Sequence, residues 1–274
     1  MPVPQHTKGR GASRTRDITP EHLAALNSGT AQARTLTEAL AIDHRRLLAA
    51  VIPDASRELT AAVDAAHELG ILKRMTAIGR ALTTFLEPGQ LATLRSHPSD
   101  TARGWVCFAI GAADKRVPER DAAQDLDPAA RMARLLTRIR PLADDACFTV
   151  REWAWMGIRP ALITHLHTAI GCLTPWTAEA SPYLRRFASE ALRPRGVWAA
   201  HIGALKSEPE LGEALLEPLR SDPERYVQDS VANWINDAAR TRPDWAHALG
   251  KRWLAESPSP ETTRIVARGL RSLS

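Results

Sequence analysis

The chain is short of the residues that mark several classes of function. Only three of its 274 residues are cysteine, and Cys107, Cys147 and Cys172 stand singly and far apart inside apolar segments. That spacing argues against both a disulfide framework and a metal site, and it suits a reducing compartment. Tyrosine (two) and phenylalanine (four) are scarce, and few segments show the period-two alternation of a half-buried strand. No glycine-rich phosphate loop, nucleophile elbow or Cys/His catalytic signature is present, which takes nucleotide hydrolysis and acyl transfer out of the leading possibilities. No apolar run approaches the about eighteen residues of a membrane span, and the first residues lack the apolar core of a signal peptide.

What is abundant is alanine, leucine and arginine, good helix formers all, so the predicted fold class is all-α. A hydrophobic content of 44% over this length allows a sizeable core. The net charge is +5 and the isoelectric point near 9.5, which favours an anionic partner. Lys8, Arg10, Arg14 and Arg16 against Asp17 supply a net three of those charges, from a stretch of Gly, Ser and Thr without apolar periodicity. Residues 1–17 are therefore expected to be a disordered basic arm, and 18–274 a single domain.

Helical signals repeat from Thr19-Pro20 onward. Pro53-Asp54 opens a helix that Gly70 closes, a second runs from about Ile71 to Phe85, and His97-Pro-Ser-Asp100 and Asp127-Pro128 start two more. Three later stretches vary one pattern: Val150-Arg-Glu-Trp-Ala-Trp-Met156, Leu184-Arg-Arg-Phe-Ala-Ser-Glu190 and Val227-Gln-Asp-Ser-Val-Ala-Asn233, spaced 34 and 43 residues apart. This is the spacing of HEAT-type helical hairpins, which stack into a curved solenoid with a long concave surface.

Pro182 to Trp198 concentrates the chemistry. Read as a helix, it buries Leu184, Phe187, Ala188, Ala191 and Leu192, while Arg186, Glu190 and Arg193 share the opposite face; Pro194 ends it, so that Arg195 and Trp198 project from the connection. Such a surface suits a polyanion with flat, stackable parts. On the helix from Val227 to Arg240, Ser230, Asn233, Asp237 and Arg240 form a polar stripe, which places the Asp237 carboxylate away from the core. The Val150 to Ile158 helix leaves Trp155 on its polar side between Glu152 and Arg159, either packed on a neighbouring repeat or exposed to a ligand. Arg131, Arg134 and Arg138 line one side of the helix after Pro128, a pattern that fits a solvated face as well as a phosphate contact. His165 and His167 fall on different faces with no Cys or carboxylate at ligand spacing, so no metal is expected, nor any cofactor.

Arg185-Arg-Phe-Ala-Ser-Glu-Ala-Leu-Arg-Pro-Arg-Gly-Val-Trp198 followed by Tyr226-Val-Gln-Asp-Ser-Val-Ala-Asn-Trp-Ile-Asn-Asp237 resembles the DNA alkylation repair family of HEAT-like-repeat glycosylases, on the AlkC side of its AlkC/AlkD group. The resemblance implies a right-handed α-solenoid holding double-stranded DNA in its concave groove and excising cationic N-alkylated purines without conventional base flipping. It implies Asp237 as the principal catalytic carboxylate, Glu190 as a second one, and Trp198 as an aromatic at the lesion. Arg159-Pro160 matches the family pattern, but Trp155 occupies the place of a further family carboxylate. Trp155 and Trp198 would lie against the cationic nucleotide, and Arg159, Arg186, Arg193, Arg195 and Asn233 would contact DNA. The protein so implied is a monomer of a bacterial-type cytoplasm, on the nucleoid when bound to DNA, with no membrane partner. The departure at Trp155 leaves open bulkier adducts, or a non-catalytic binder of distorted or branched DNA, and the fold by itself also permits a protein-interaction scaffold.

Overall fold

The structure, a computed structural model, describes residues 11–114, 127–196 and 198–273. All regular structure among them is helical, as the composition predicts, and no strand occurs. The helices gather into two compact units, residues 1–106 and 107–274.

The first unit holds α1 (Pro20–Asn27), α2 (Leu36–Leu40), α3 (His44–Val51), α4 (Arg57–Ala66), α5 (Ile71–Phe85), α6 (Pro88–Arg95) and the start of α7 (Asp100–Asp114). Helix starts obey local chemistry. The Thr19 hydroxyl accepts the His22 N–H, Asp43 caps α3 and Ser56 caps α4, each satisfying amides that a helix leaves open. Helix α5 has the predicted bounds. Helix α4 starts at Arg57, because the Ser56 side chain offers a cap that Pro53-Asp54 does not.

The arm expected over 1–17 falls partly on residues 1–10, which lie outside the described ones. Its remainder is not a free tail: Ala12 donates its N–H to Glu38 at 2.8 Å, Thr35 and Thr37 donate to the carbonyls of Ala12 and Ser13, and Thr15–Asp17 form a 3-10 turn. The cause is Glu38, a fully buried carboxylate that also takes the Arg34 N–H at 2.7 Å and the His22 ring at 3.1 Å. Burial alone would raise its pKa, but these hydrogen bonds and the Arg34 charge outweigh burial and hold it below the ordinary value.

The second unit holds the rest of α7, then α8 (Pro128–Ala143), α9 (Phe148–Thr164), α10 (Leu166–Leu173), α11 (Pro182–Glu190), α12 (Gly203–Ser207), α13 (Glu213–Leu216), α14 (Arg225–Ala239), α15 (Pro243–Glu256) and α16 (Pro260–Gly269). Its helices pair as hairpins, and the second members stack in order: α9 touches α11, α11 packs on α14, and α14 on α16. The three related stretches seen in the sequence are the first turns of α9, α11 and α14. They share a device. Arg151 donates to the carbonyls of Asp145 and Ala146, Arg185 to those of Glu179 and Ala180, and Gln228 to that of Asp222, so each side chain ties its helix to the turn five and six residues before it. Arg103 does the same for His97 and Pro98 in the first unit. Arg185 also grips the Asp222 carboxylate at 2.6 Å, linking one repeat to the next. Two residues after each of Arg103, Arg151 and Arg185 comes a buried aromatic, Trp105, Trp153 and Phe187.

Helix α9 has buried residues on every side, including Trp153, Trp155 and Ile158. It lies so close to α7 that a Cβ on Gly157 would stand 2.6 Å from the Cys107 carbonyl oxygen, a crossing only glycine permits. Pro141 and Pro160 sit inside α8 and α9, which run past them to Ala143 and Thr164. Helix α11 ends at Glu190, three residues before the boundary that Pro194 suggests, and an irregular turn carries the chain to α12.

Candidate functional site

In the second unit, stacking of α9, α11 and α14 brings their polar positions into one row of alternating charge. Glu152 of α9 accepts from Arg186 at 2.8 Å. Arg186 lies 3.5 Å from Glu190, which accepts from Arg193 at 2.9 Å, and Arg193 donates through Nε to Asp237 of α14, also at 2.9 Å. The second oxygen of Glu190 accepts the Ser230 hydroxyl at 2.7 Å. Isolated charges at this depth would each cost several kcal/mol of desolvation, so the row persists because every member has partners.

The two candidate carboxylates differ in kind. Burial raises the pKa of Glu190, but the charges of Arg186 and Arg193 and the bonds from Ser230 and Arg193 more than offset it, and the carboxyl is held below the ordinary glutamate value. Asp237 goes the other way. Burial pushes it up, and Arg193 and the Arg195 backbone only partly compensate, while the negative charge of Glu190 adds to the rise. Asp237 is thus a carboxylate whose charged form is under-stabilised by the protein, and a cation brought against it would gain the most. Its side chain keeps 11% exposure against 6% for Glu190.

Several expected contacts are placed differently. Trp155 is buried at 2% exposure and its indole N–H donates to Glu152 at 2.9 Å, so of the two placements open from the sequence, packing is the one observed. The reason is that α9 has no solvent face at that position. Arg186, expected at phosphates, is enclosed among Glu152, Glu190 and the Tyr226 ring, whose centroid lies 4.3 Å away; burial opposes its charge, yet the two carboxylates raise its pKa. Arg193 is likewise enclosed between Glu190 and Asp237, which raise its pKa against the effect of burial. Asn233 accepts from Arg271 at 2.9 Å, and Arg195 donates to the Asp237 backbone carbonyl at 3.0 Å.

Arg159 serves the chain itself. Buried at 2% exposure, it donates to the carbonyls of Ala191 and Arg193, both at 2.6 Å, and of Ala200 at 3.1 and 3.3 Å. Burial lowers its pKa to about 10. Those carbonyls bracket the segment that presents Trp198, and a bond from Ile202 N–H to Pro194 O closes the same loop. Gly196 lies against the guanidinium, and a Cβ there would stand 3.3 Å from it, so that the arginine would have to give slightly. Trp198 itself is 46% exposed and has φ of +62°, a left-handed backbone that costs about 1–2 kcal/mol in any residue but glycine. A large indole is thus held out to solvent on a backbone that most residues avoid.

Glu152, Ser230, Tyr226 and Arg271 belong to the site as well. Glu152 and Ser230 stand about one repeat from their partners Arg186 and Glu190, but nothing local identifies Tyr226 or Arg271 as neighbours. Among the described residues no group of three or more His, Cys, Asp or Glu could hold a metal ion, and no helix is long and apolar enough to cross a membrane.

No family model matches the sequence. Over 126 residues, 46% of this chain and 35% of the relative, it is 34% identical to the uncharacterized protein YhaZ of Bacillus subtilis (strain 168), so it spans about a third of that protein's length. Among solved structures it is similar to the Pseudomonas fluorescens alkylpurine DNA glycosylase AlkC bound to DNA containing an abasic site analog, with 21% identity and a TM-score of 0.61, covering 96% of this chain and 65% of that one. It is also similar to AlkD2 of Streptococcus mutans, at 16% identity and a TM-score of 0.57, over 78% of this chain and 98% of that one. The helical-repeat fold that the sequence resemblance implies is therefore the fold of the chain.

Proposed function

We propose that the protein is a DNA repair glycosylase that removes cationic N-alkylated purines, of the 3-methyladenine or 7-alkylguanine type, from double-stranded DNA. The observation that carries this reading is Asp237: a carboxylate at the edge of a buried charge row, with its charged form under-stabilised. An N3- or N7-alkylated purine is already a cationic leaving group. Its glycosidic bond breaks with the electron pair passing to the base, which departs neutral, so no strong general acid is required. Positive charge then develops on the sugar. Asp237 stabilises that oxocarbenium-like charge and orients the attacking water, whose proton is lost as the new C–O bond forms. Glu190, saturated by Arg193 and Ser230, acts through Arg193 by setting the position and charge of Asp237's partner. Trp198, with Arg159 holding its loop, offers an aromatic face to the cationic nucleotide, worth about 0.5–2 kcal/mol. The AlkC neighbour, solved on DNA containing an abasic site analog, supports DNA as the partner.

The test is release of free base from alkylated duplex DNA by the wild type and by Asp237→Asn. Loss of one preorganised electrostatic contact predicts a fall of about 100- to 1,000-fold in single-turnover rate. Equal release by both proteins overturns the role of Asp237, and no release by either overturns the activity on that substrate. Trp155, buried where the family pattern has a carboxylate, favours a second reading in which the same surface only binds distorted or branched DNA. Tight binding to junctions with no base release across small and bulky adducts would establish that reading instead.

A further inference from the structure

The charge row sets three carboxylates against two guanidiniums, and both of its ends are carboxylates, Glu152 on α9 and Asp237 on α14. Glu190 at the centre is enclosed, while Glu152 keeps 27% exposure. The links between them are unequal. A single terminal nitrogen of Arg186 serves two carboxylates, standing 2.8 Å from Glu152 Oε1 and 3.5 Å from Glu190 Oε2. Glu152 therefore holds this guanidinium off Glu190. Glu190 makes up the difference with the Ser230 hydroxyl on Oε2 at 2.7 Å and with Arg193 on Oε1 at 2.9 Å. Arg193 in turn divides its charge between Glu190 and Asp237, whose Oδ2 accepts from its Nε at 2.9 Å. In a buried row of this kind each hydrogen bond polarises the next, so a change at one end is felt along it. Glu152 is fixed from its other side as well, since its Oε2 accepts the Trp155 indole N–H at 2.9 Å. The buried indole thus orients the carboxylate that heads the row.

We propose that Glu152, oriented by Trp155, is a positioning residue for excision: by holding Arg186 off Glu190 it keeps Arg193 shared, and so leaves the Asp237 carboxylate open to a cationic sugar. This rests on the reading of Asp237 as the group that meets the sugar. With Glu152 neutral, Arg186 closes on Glu190, Glu190 needs less of Arg193, and Arg193 turns more of its charge to Asp237. Asp237 is faced by Glu190 of α11 and by Arg193 and Arg195 of the turn after it, and it also acts on Arg159 of α9 and on Arg271 beyond α16. Glu152 bonds to Arg186 and Trp155, so its influence on Asp237 passes along the row.

The experiment follows the Asp237 carboxyl of the full chain through a pH series by carbon NMR of protein labelled at its aspartate carboxyl groups, with Asp237→Asn identifying the signal. No substrate enters this readout. Glu152→Gln, which keeps the side-chain shape and an acceptor oxygen, is expected to move the titration to lower pH. It is also expected to slow single-turnover excision, by less than the about 100- to 1,000-fold expected of Asp237→Asn. Glu152→Asp keeps the charge on α9 and is expected to return the titration towards that of wild type. Glu179→Gln removes the same charge from an ion pair with Arg140 outside the row and is expected to leave the titration unmoved. An unmoved Asp237 titration in Glu152→Gln overturns the proposal, as does an equal move in Glu179→Gln, which would mean that net charge alone is responsible. The expected titration shifts together with no excision of any alkylated base by the wild type overturn the glycosylase reading and leave the coupling of Glu152 to Asp237 standing.

Discussion

Converting Glu190 to its amide should destabilise the protein while converting Asp237 to its amide should not, although the two lie in one row of charges. Glu190 is buried and accepts from Arg193 at 2.9 Å and Ser230 at 2.7 Å, with Arg186 at 3.5 Å. Removing one member of a buried pair costs about 3–5 kcal/mol, because the partner is left uncompensated. Here Arg186 keeps Glu152 and Arg193 keeps Asp237, so the lower end, about 3 kcal/mol, is expected for Glu190→Gln, or roughly 6–12 °C in Tm for a protein of this size. Since the folded pKa of Glu190 lies below its unfolded value, this contribution is present above the unfolded value and is lost as pH falls through the folded one. The gap between wild type and Glu190→Gln should therefore close on acidification below about pH 4.5. For Asp237 the folded pKa is raised, so whatever stability its protonation brings is present below the unfolded value and lost as pH rises through the folded value. At neutral pH the ionised carboxylate is a net burden on the fold, and Asp237→Asn should melt no lower than wild type while losing excision. Thermal unfolding of the three proteins at pH 7 and pH 4 provides the comparison. An Asp237→Asn variant that melts as low as Glu190→Gln at pH 7 would refute the distinction between an electrostatically satisfied carboxylate and a poised one.

The acid limb of the excision rate should lie above the ordinary aspartate value, because Asp237 must be ionised to act and burial raises its pKa; Arg193→Gln, by removing the largest opposing charge, should move that limb to still higher pH in single-turnover measurements. Replacing Arg159 by Gln strips the loop of its grip on the Ala191, Arg193 and Ala200 carbonyls, so limited trypsin digestion should cut after Arg195 at least several-fold faster than in wild type, and an unchanged rate would show that the loop holds itself. Trp198→Gly relieves the left-handed backbone and should leave Tm within a few degrees of wild type, yet weaken preference for alkylated over unmodified DNA by roughly 2- to 30-fold in competition binding, the range of one cation–π contact.

Periodicity and helix chemistry were enough to read the all-α class, most helix starts and the repeat. Alanine- and leucine-rich segments at helical spacing point to helices throughout, Thr19 and Ser56 mark where helices begin by side-chain bonds that reach only three residues, and Pro128 marks the start of α8 by its fixed φ at the first helical position. The buried stripe of α11 was likewise legible, since Leu184, Phe187 and Ala188 recur at intervals that only a helix brings together. Asp237, Glu190 and Trp198 could be singled out for the same reason, on local spacing and resemblance. The environment of each was not local information. Trp155 looked like a polar-face aromatic because helical spacing assigns a face but not what covers it, and α9 turned out to be covered all round. Arg186 and Arg193 looked like phosphate ligands because an arginine next to a carboxylate on one helix gives no sign of a second carboxylate arriving from the next repeat, as Glu152 and Asp237 do. Arg159 sits 32 residues from the first carbonyl it holds and 41 from the last. The sequence alone determined which groups this protein carries and on which helical faces they lie. Only the stacking of one repeat on another decided which charges are neutralised, which carboxylate stays poised and which indole reaches solvent, because burial and Coulomb energy depend on distances through space that no spacing along the chain encodes.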